Sequence, residues 1–358
     1  MSQESPSFDI REAIRVAVDG QELTIEQSTA AMDAIMSGEV PGSQIAALVT
    51  ALRMKGETVA EIAGFASAMR AHSLKVPTDA ESTPLLDTCG TGGDHSNSFN
   101  ISTTATFAIA AAGVRIAKHG NRAQSSRCGS ADLLEALGVT VELTGDEVAE
   151  SIDEIGVGFM FAPAFHPAMR FVGPTRKEIG IRTVFNILGP LTNPAGAGHQ
   201  LIGVGHPDIA QKLAEVLSML GSVRAVLVHS EEGLDEIGVS GSTAITEWDR
   251  QRGTIRTYSI SPEEFGLERG ASSDLTGGDV QENVRITREI LSGGNGPRRT
   301  VTLLNAGAGI YAAEAAGSIA EGVAIAAVAI DSGRAEAKLD ELVAFTSNMV
   351  ANRQGAPA

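Results

Sequence analysis

Positive charge is in short supply. Across 358 residues, 27 Lys and Arg stand against 44 Asp and Glu, for a formal net charge of −17. That balance argues against a general nucleic-acid or anionic-membrane surface. A polyanion can still bind such a chain, but it needs a local basic pocket, a metal ion, or both. Aromatic residues are sparse at 4%, while the hydrophobic fraction of 43% is ordinary for a globular protein. Cysteine occurs only at Cys89 and Cys128, both within glycine-rich loops. A single disulfide between two binding loops would be an odd staple, so reduced thiols are expected. The most apolar stretch, 301–330, is broken by Asn305, Glu314, Glu321 and glycines. It falls short of the ~20 uninterrupted apolar residues of a membrane span. The N-terminal MSQESPSFDIRE has no apolar h-region, so no signal peptide is expected. The chain reads as a soluble, cytoplasmic protein, long enough for a large core and two domains.

Glycine, by contrast, is abundant, and its 40 copies gather in loops rather than in a repeat. The stretch 85–138 holds two strand-like runs, 85–88 and 114–118, each opening into a Gly/Ser/Asn loop and then a helix. A buried strand, a polar loop and a helix N-terminus make an anion site, because loop N–H groups and the helix dipole face one point. Two such units in succession, with Lys118, His119 and Arg122 in the second, suggest a site for more than one phosphate.

Before this stretch, residues 8–73 read as helices only. Capping boxes at Thr24/Gln27 and Thr58/Glu61 open helices over Ile25–Met36 and Val59–Ala71. Between them, Ile45, Leu48, Val49 and Leu52 mark one helical face over 43–55, ending at Gly56. Such a small bundle has little core of its own and packs on something else. A linker covers 75–84.

From Leu85 onward, strands and helices alternate. Strands are expected at 139–143, Val157–Phe161, 201–205, 225–229 and 244–248, with an antiparallel addition at Thr254–Ile260. Helices are expected after Thr144/Glu147, at 207–220, from Ser261, and then at Val280–Leu291, 298–316, 319–330 and 335–349. The alternation predicts an α/β fold with a mostly parallel sheet covered on both faces. The proline-rich insert 162–198 interrupts the pattern and is placed against the N-terminal helices, lining a cleft. The domains are therefore 1–76, completed by helices from about 163–198, and 84–358.

Individual residues carry distinct expectations. Gly90, Gly92 and Gly93 let backbone approach a phosphate or sugar. Ser102, at a helix start, either caps the helix or reaches a diphosphate and its metal. Lys118–Arg122 (KHGNR) supplies cationic and amide donors at the carboxyl end of a strand, the ligand edge of an open α/β sheet. Asp235 and Glu236 follow a strand and a Gly233 turn, and they offer oxygen ligands of the kind Mg²⁺ takes.

GTGGD (Gly90–Asp94), FNIST (Phe99–Thr103), KHGNR, SS..GSAD..EALG (Ser125–Gly138), FAP..HPAMR (Phe161–Arg170), R....RT.FN.LGPLTNPA (Arg176–Ala195) and GLDE (Gly233–Glu236) follow in one order. With GGD..EN and GPRR near 277–306, the chain resembles the anthranilate phosphoribosyltransferase family over nearly its whole length. The resemblance implies transfer of a phosphoribosyl group from phosphoribosyl diphosphate (PRPP) to the amine of anthranilate, with Mg²⁺, in tryptophan biosynthesis. It implies a small helical domain on a larger α/β domain of the nucleoside phosphorylase/phosphoribosyltransferase kind, and a homodimer formed through the helical part.

The site residues follow from the same resemblance. In the first loop PRPP is expected to meet Gly90, Gly93, Asp94, Ser98 and Asn100, then Ile101, Ser102 and Thr103 at the helix start. Asp94 organises the loop or touches the ribose. In the second loop it is expected to meet Lys118, His119, Gly120, Asn121, Arg122 and Ala123, then Gln124, Ser125, Ser126 and Ser130. Anthranilate is assigned to Gly90, Asn121 and Arg176, whose guanidinium fork suits a carboxylate. His166 and Pro190 line its path, and Arg170 and Arg182 are read as interhelical salt bridges. The metal is assigned to Ser102, Asp235 and Glu236. No acid or base residue is expected, because an aromatic amine is already unprotonated at pH 7.

The sequence departs from the common family wording at His95, Ser98, Gln124, Arg127, Cys128 and Gly238. Two rival readings make different demands on the sequence. A pyrimidine nucleoside phosphorylase would carry a KHSTGG-type loop. A non-enzymatic nucleic-acid-binding relative would show a basic surface and degraded metal carboxylates.

Overall fold

The computed structural model describes residues 9–80, 83–94, 96–123 and 127–355. It opens with α1 (Ile10–Val18), α2 (Ile25–Met36), α3 (Gly42–Lys55) and α4 (Val59–Ala71). Both capping boxes form: Thr24 Oγ1 accepts from the Gln27 N–H and Thr58 Oγ1 from the Glu61 N–H, with each partner side chain reaching back. Such caps contribute about 1 kcal/mol each. Glu61 does more than cap. Fully buried, it accepts from the Leu23 N–H (3.0 Å), the Thr58 N–H (2.8 Å) and the Lys55 ammonium (2.9 Å). It thereby pins the α1–α2 connection to α4.

The sheet comprises β1 (Leu85–Gly90), β2 (Arg115–Gly120), β3 (Val157–Phe161), β4 (His199–Gly203), β5 (Arg224–Ser230), β6 (Thr243–Asp249) and β7 (Thr254–Ile260). Its order is β3-β2-β1-β4-β5-β6-β7. Pairings from β3 across to β5 are parallel, and β6 and β7 join antiparallel. The chain runs from β1 toward one edge and restarts at β4 toward the other. β1 and β4, in register from Leu86↔His199 to Gly90↔Gly203, therefore flank the switch point where open α/β sheets bind ligands.

Helices α5 (Ile101–Ala111), α6 (Ser130–Ala136) and α7 (Gly145–Ile155) follow the first strands. The insert supplies α8 (Ala162–Phe165), α9 (Gly173–Ile179) and α10 (Phe185–Leu188). Then come α11 (Ala210–Met219), α12 (Val280–Leu291), α13 (Pro297–Ala312), α14 (Ile319–Asp331) and α15 (Arg334–Gly355). Phe107, Ile109, Leu304 and Ile310 bury one sheet face under α5 and α13. On the other face Ile202, Val204, Ala225 and Leu227 meet Leu213 and Leu217 of α11, and this core continues into the N-terminal bundle. Val172, Val184, Phe185, Leu188 and Leu191 of the insert belong to it as well.

Four local expectations are corrected. Residues 139–143 form no strand, although Val139, Val141 and Leu143 are all buried. Their period-2 pattern records packing, because the Thr140 N–H goes to Thr346 Oγ1 of α15 (3.1 Å) and not to a ladder. The segment after Ser261 is one 3₁₀ turn, Pro262–Phe265, stopped by Gly266 at φ 70°. The helix expected over 207–220 begins as a 3₁₀ turn, Pro207–Ile209. Finally, β4 begins at the buried polar pair His199–Gln200, whose polarity hid the strand start.

Candidate active site

Two loops leave the carboxyl ends of β1 and β2 side by side and lead into α5 and α6. Asn100, at the N-cap position of α5, donates its side-chain amide to the Cys128 carbonyl (3.1 Å), tying one loop to the other. Ser102 is therefore free of the capping role. Its N–H donates to Glu236 Oε1 (3.1 Å), and its hydroxyl lies 3.4 Å from the Lys118 ammonium. A carboxylate at a helix N-terminus is favourable in itself.

Asp235 and Glu236 sit partly open on the cleft floor. Asp235 Oδ2 accepts from the Gly92 N–H (2.9 Å), and Asp94 Oδ2 lies 3.5 Å from the Asp235 N–H. This tight approach requires glycine beneath it, since a Cβ on Gly203 would fall 1.6 Å from the Asp235 carbonyl oxygen. From the other side, Asn305 of α13 accepts from the Ile237 N–H and donates to the Ile237 carbonyl, both at 3.0 Å. Sequence reasoning gave Asn305 no such part. A lone Asn inside an apolar helix was the available signal. The departure at Gly238 also has a reason, because a Cβ there would lie 1.8 Å from Glu232 Oε1. That oxygen accepts from the Val239 N–H (2.7 Å) and steadies the turn.

Desolvation, and then Asp94, push the Asp235 carboxyl up to about 7. Desolvation, and then Asp235, push Glu236 up to about 8 against the pull of Lys118. Two like charges with one nearby ammonium need a further cation. Among the described residues no three His, Cys, Asp or Glu side chains converge to hold a metal alone. Two carboxylates and the Ser102 hydroxyl form a partial set of hard oxygen donors, to which phosphate oxygens of a substrate can add. The residues fit Mg²⁺ on that footing.

Lys118 is buried. Its ammonium donates to the Thr88 carbonyl and, at 3.2 Å, to Thr88 Oγ1. Burial pulls its pKa down while Asp87, Cys89 and Glu236 oppose the shift. In the second loop, Asp132 Oδ2 accepts from the Ala123 and Gly129 N–H groups, both at 2.9 Å, bracketing the turn. Ser130 Oγ donates to the Asn121 carbonyl (3.2 Å), and Asn121 Oδ1 accepts from the Arg122 N–H (2.7 Å). Ser98 bridges to Thr276. His95, Gln124, Ser125 and Ser126 lie outside the described residues.

Several expected roles change. The Arg122 guanidinium is held by Asp132 and Glu135 and lies over the Phe161 ring at 5.3 Å. His119 is not a cation: burial, and then His166, lower its pKa to about 3. Its ring stands 5.0 Å from that of His166, itself lowered to about 4 by burial. Both rings are neutral at pH 7, and each leaves a buried Nε2 without a partner among the described residues. Arg170 lies over the Phe171 ring at 4.6 Å, and Arg182 reaches the carbonyls of Thr91 and Gly92; among the described residues neither makes a salt bridge. Among the described residues neither Cys89 nor Cys128 forms a disulfide.

Arg176, on α9, is half-buried over the Phe185 ring at 5.8 Å and makes no ion pair among the described residues. Burial lowers its pKa. An unpaired guanidinium so placed suits an incoming carboxylate. Pro190, whose carbonyl accepts from Gln200 Nε2 (2.9 Å), is buried.

Two family models match the chain: the glycosyl transferase family a/b domain over residues 82–336, and the glycosyl transferase family helical bundle domain over 11–73. An anthranilate phosphoribosyltransferase of Herpetosiphon aurantiacus is 52% identical over 337 residues, covering 94% of this chain and 98% of that one. The crystal structure of the Thermus thermophilus anthranilate phosphoribosyltransferase is 46% identical with a TM-score of 0.88, covering 94% of this chain and 99% of that one. The Saccharomyces cerevisiae enzyme in complex with PRPP and Mg is 29% identical with a TM-score of 0.85, over 95% and 98%. The same yeast enzyme in complex with 4-fluoroanthranilate is 27% identical with a TM-score of 0.83, over 95% and 99%.

Proposed function

The chain belongs to the anthranilate phosphoribosyltransferase family, and from that premise we propose how its site transfers the phosphoribosyl group of PRPP to the amine of anthranilate, releasing diphosphate. The observation that carries the reading is the meeting of Gly92 and Ser102 with Asp235 and Glu236. Both ends of the first loop are hydrogen-bonded to one acidic pair beside the second.

The two loops take the donor. Residues Gly90, Gly93, Asp94, Ser98 and Asn100–Thr103 surround it on one side. Lys118–Ser126 and Ser130 do so on the other. Asp235, Glu236 and Ser102 would hold Mg²⁺, which supplies charge neutralisation for the departing diphosphate. The Lys118 ammonium, 3.4 Å from the Ser102 hydroxyl, adds positive charge beside the same donor set and would help stabilise charge that builds on the leaving group. Arg176 fixes the anthranilate carboxylate in a bidentate fork, and Gly90 and Asn121 border the ring. His119 and His166, both neutral, give the ring a wall without a competing charge. The aromatic amine brings its own lone pair, so positioning replaces a general base.

We also propose a homodimer joined through the helical domain. A groove of about 710 Å³ runs between α1 and α3, and Val18 and Met54 beside it are 67% and 84% exposed. A cytoplasmic location accords with two cysteines that form no disulfide among the described residues. The domains are taken as 1–76 with helices of 163–198, and 84–358.

The test mixes protein, Mg²⁺, PRPP and anthranilate and follows anthranilate fluorescence. PRPP-dependent loss is expected. Its absence removes the reading in favour of a nucleoside phosphorylase-like or nucleic-acid-binding relative.

A further inference from the structure

The acceptor segment and the donor loop touch through one side chain. Arg182 follows α9, the helix that carries Arg176, after a left-handed Gly180 at φ 66°. Its Nη2 donates to the carbonyls of Thr91 (3.3 Å) and Gly92 (3.1 Å). The Gly92 N–H is bonded at the same time to Asp235 Oδ2 (2.9 Å). A single peptide unit of the first loop is thus gripped on one side by the acidic pair and on the other by the acceptor segment. Gly93, at φ 80°, completes the seat, since a Cβ there would lie 1.5 Å from Arg182 Nη1. The guanidinium occupies the space a side chain would fill. Arg182 has no carboxylate partner among the described residues, so these carbonyls are its anchorage.

We propose that Arg182 is a positioning residue that holds the donor loop in register with the acceptor segment. By holding the Thr91 and Gly92 carbonyls it fixes the loop conformation in which the Gly92 N–H reaches Asp235. Because it stands on the segment that follows α9, it also registers the loop against the residue that holds the acceptor. Two hydrogen bonds to a charged donor are strong enough to matter. This inference rests on the functional reading for the identity of the ligands, but not for the loop contact itself.

Arg182→Gln and Arg182→Lys, with their melting curves checked, test it. For R182Q the KM for PRPP is expected to rise about tenfold or more, with the KM for anthranilate alone within about twofold at saturating PRPP. R182K recovers part of the loss. Hydrogen exchange of the ligand-free proteins provides a readout independent of turnover. Amides of 90–94 are expected to exchange about tenfold faster in R182Q, with α5 and α9 unchanged. Unaltered exchange at 90–94, or equal rises in both KM values, overturns the proposal. Faster loop exchange in a protein that does not consume PRPP upholds the contact and overturns the functional reading instead.

Discussion

Glu236→Gln separates the two consequences of placing a carboxylate on the cleft floor. In the folded chain Glu236 is pushed up to about 8, chiefly by desolvation and then by Asp235. Its folded pKa thus lies above the ordinary 4.5, and the fold favours the neutral form. The stability this contributes is complete below about pH 4.5 and is lost as pH rises through about 8. The full shift would correspond to ~4–5 kcal/mol. The group is partly open to the cleft, and water screens it, so roughly 2 kcal/mol is the fair expectation. Gln keeps an oxygen for the Ser102 N–H and carries no charge. In chelator at pH 9 the variant should therefore melt a few degrees higher than the parent, about 2 kcal/mol more stable, and the gap should close toward pH 5. Adding Mg²⁺ and PRPP should stabilise the parent by a further ~2–3 kcal/mol at about a hundred times the Kd, and the variant much less. Turnover should fall about a hundredfold or more. A stability difference that is the same at pH 5 and pH 9, or an undiminished response to Mg²⁺ and PRPP, refutes the reasoning.

Two further expectations use separate observations. Gly203→Ala drives a Cβ into the Asp235 carbonyl, so the acidic turn must shift. Thermal melting should report a loss of about 2 kcal/mol or more, and Mg²⁺-dependent turnover should fall more than proportionally. Met54→Glu places a charge on the exposed face of α3, and light scattering after gel filtration should show a dimer becoming a monomer with turnover per chain within about twofold.

Local signals in the sequence translated well into local structure. The capping boxes at Thr24, Thr58 and Thr144 each open the helix they announce, because their hydrogen bonds close within three residues. β7 spans Thr254–Ile260 and pairs antiparallel with β6, as expected for it. What failed was long-range. The burial of Val139, Val141 and Leu143 looked like a strand because period 2 does not say whether a ladder or a helix supplies the cover. Motif order pointed to GTGGD and GLDE, and the structure joins them through Gly92 and Asp235, 143 residues apart. No spacing rule could show that Asp132 brackets the second loop, or that Arg122 turns back to Asp132 and Glu135. Nor could it show that Arg182 meets loop carbonyls and not an acid. Charge type is legible in a sequence, but the partner of a charge is a property of the fold.

The central claim is that both glycine-rich loops and the acidic pair form one site for PRPP with Mg²⁺. Calorimetric titration of PRPP into the parent and into Asp235→Ala, each with Mg²⁺ and with chelator, tests it most directly. The account predicts one PRPP bound per chain, weakened about tenfold or more by chelator or by the substitution, with the melting temperature of D235A not lowered by more than a few degrees. Equal PRPP affinity in all four titrations, or no binding to the parent with Mg²⁺, contradicts it.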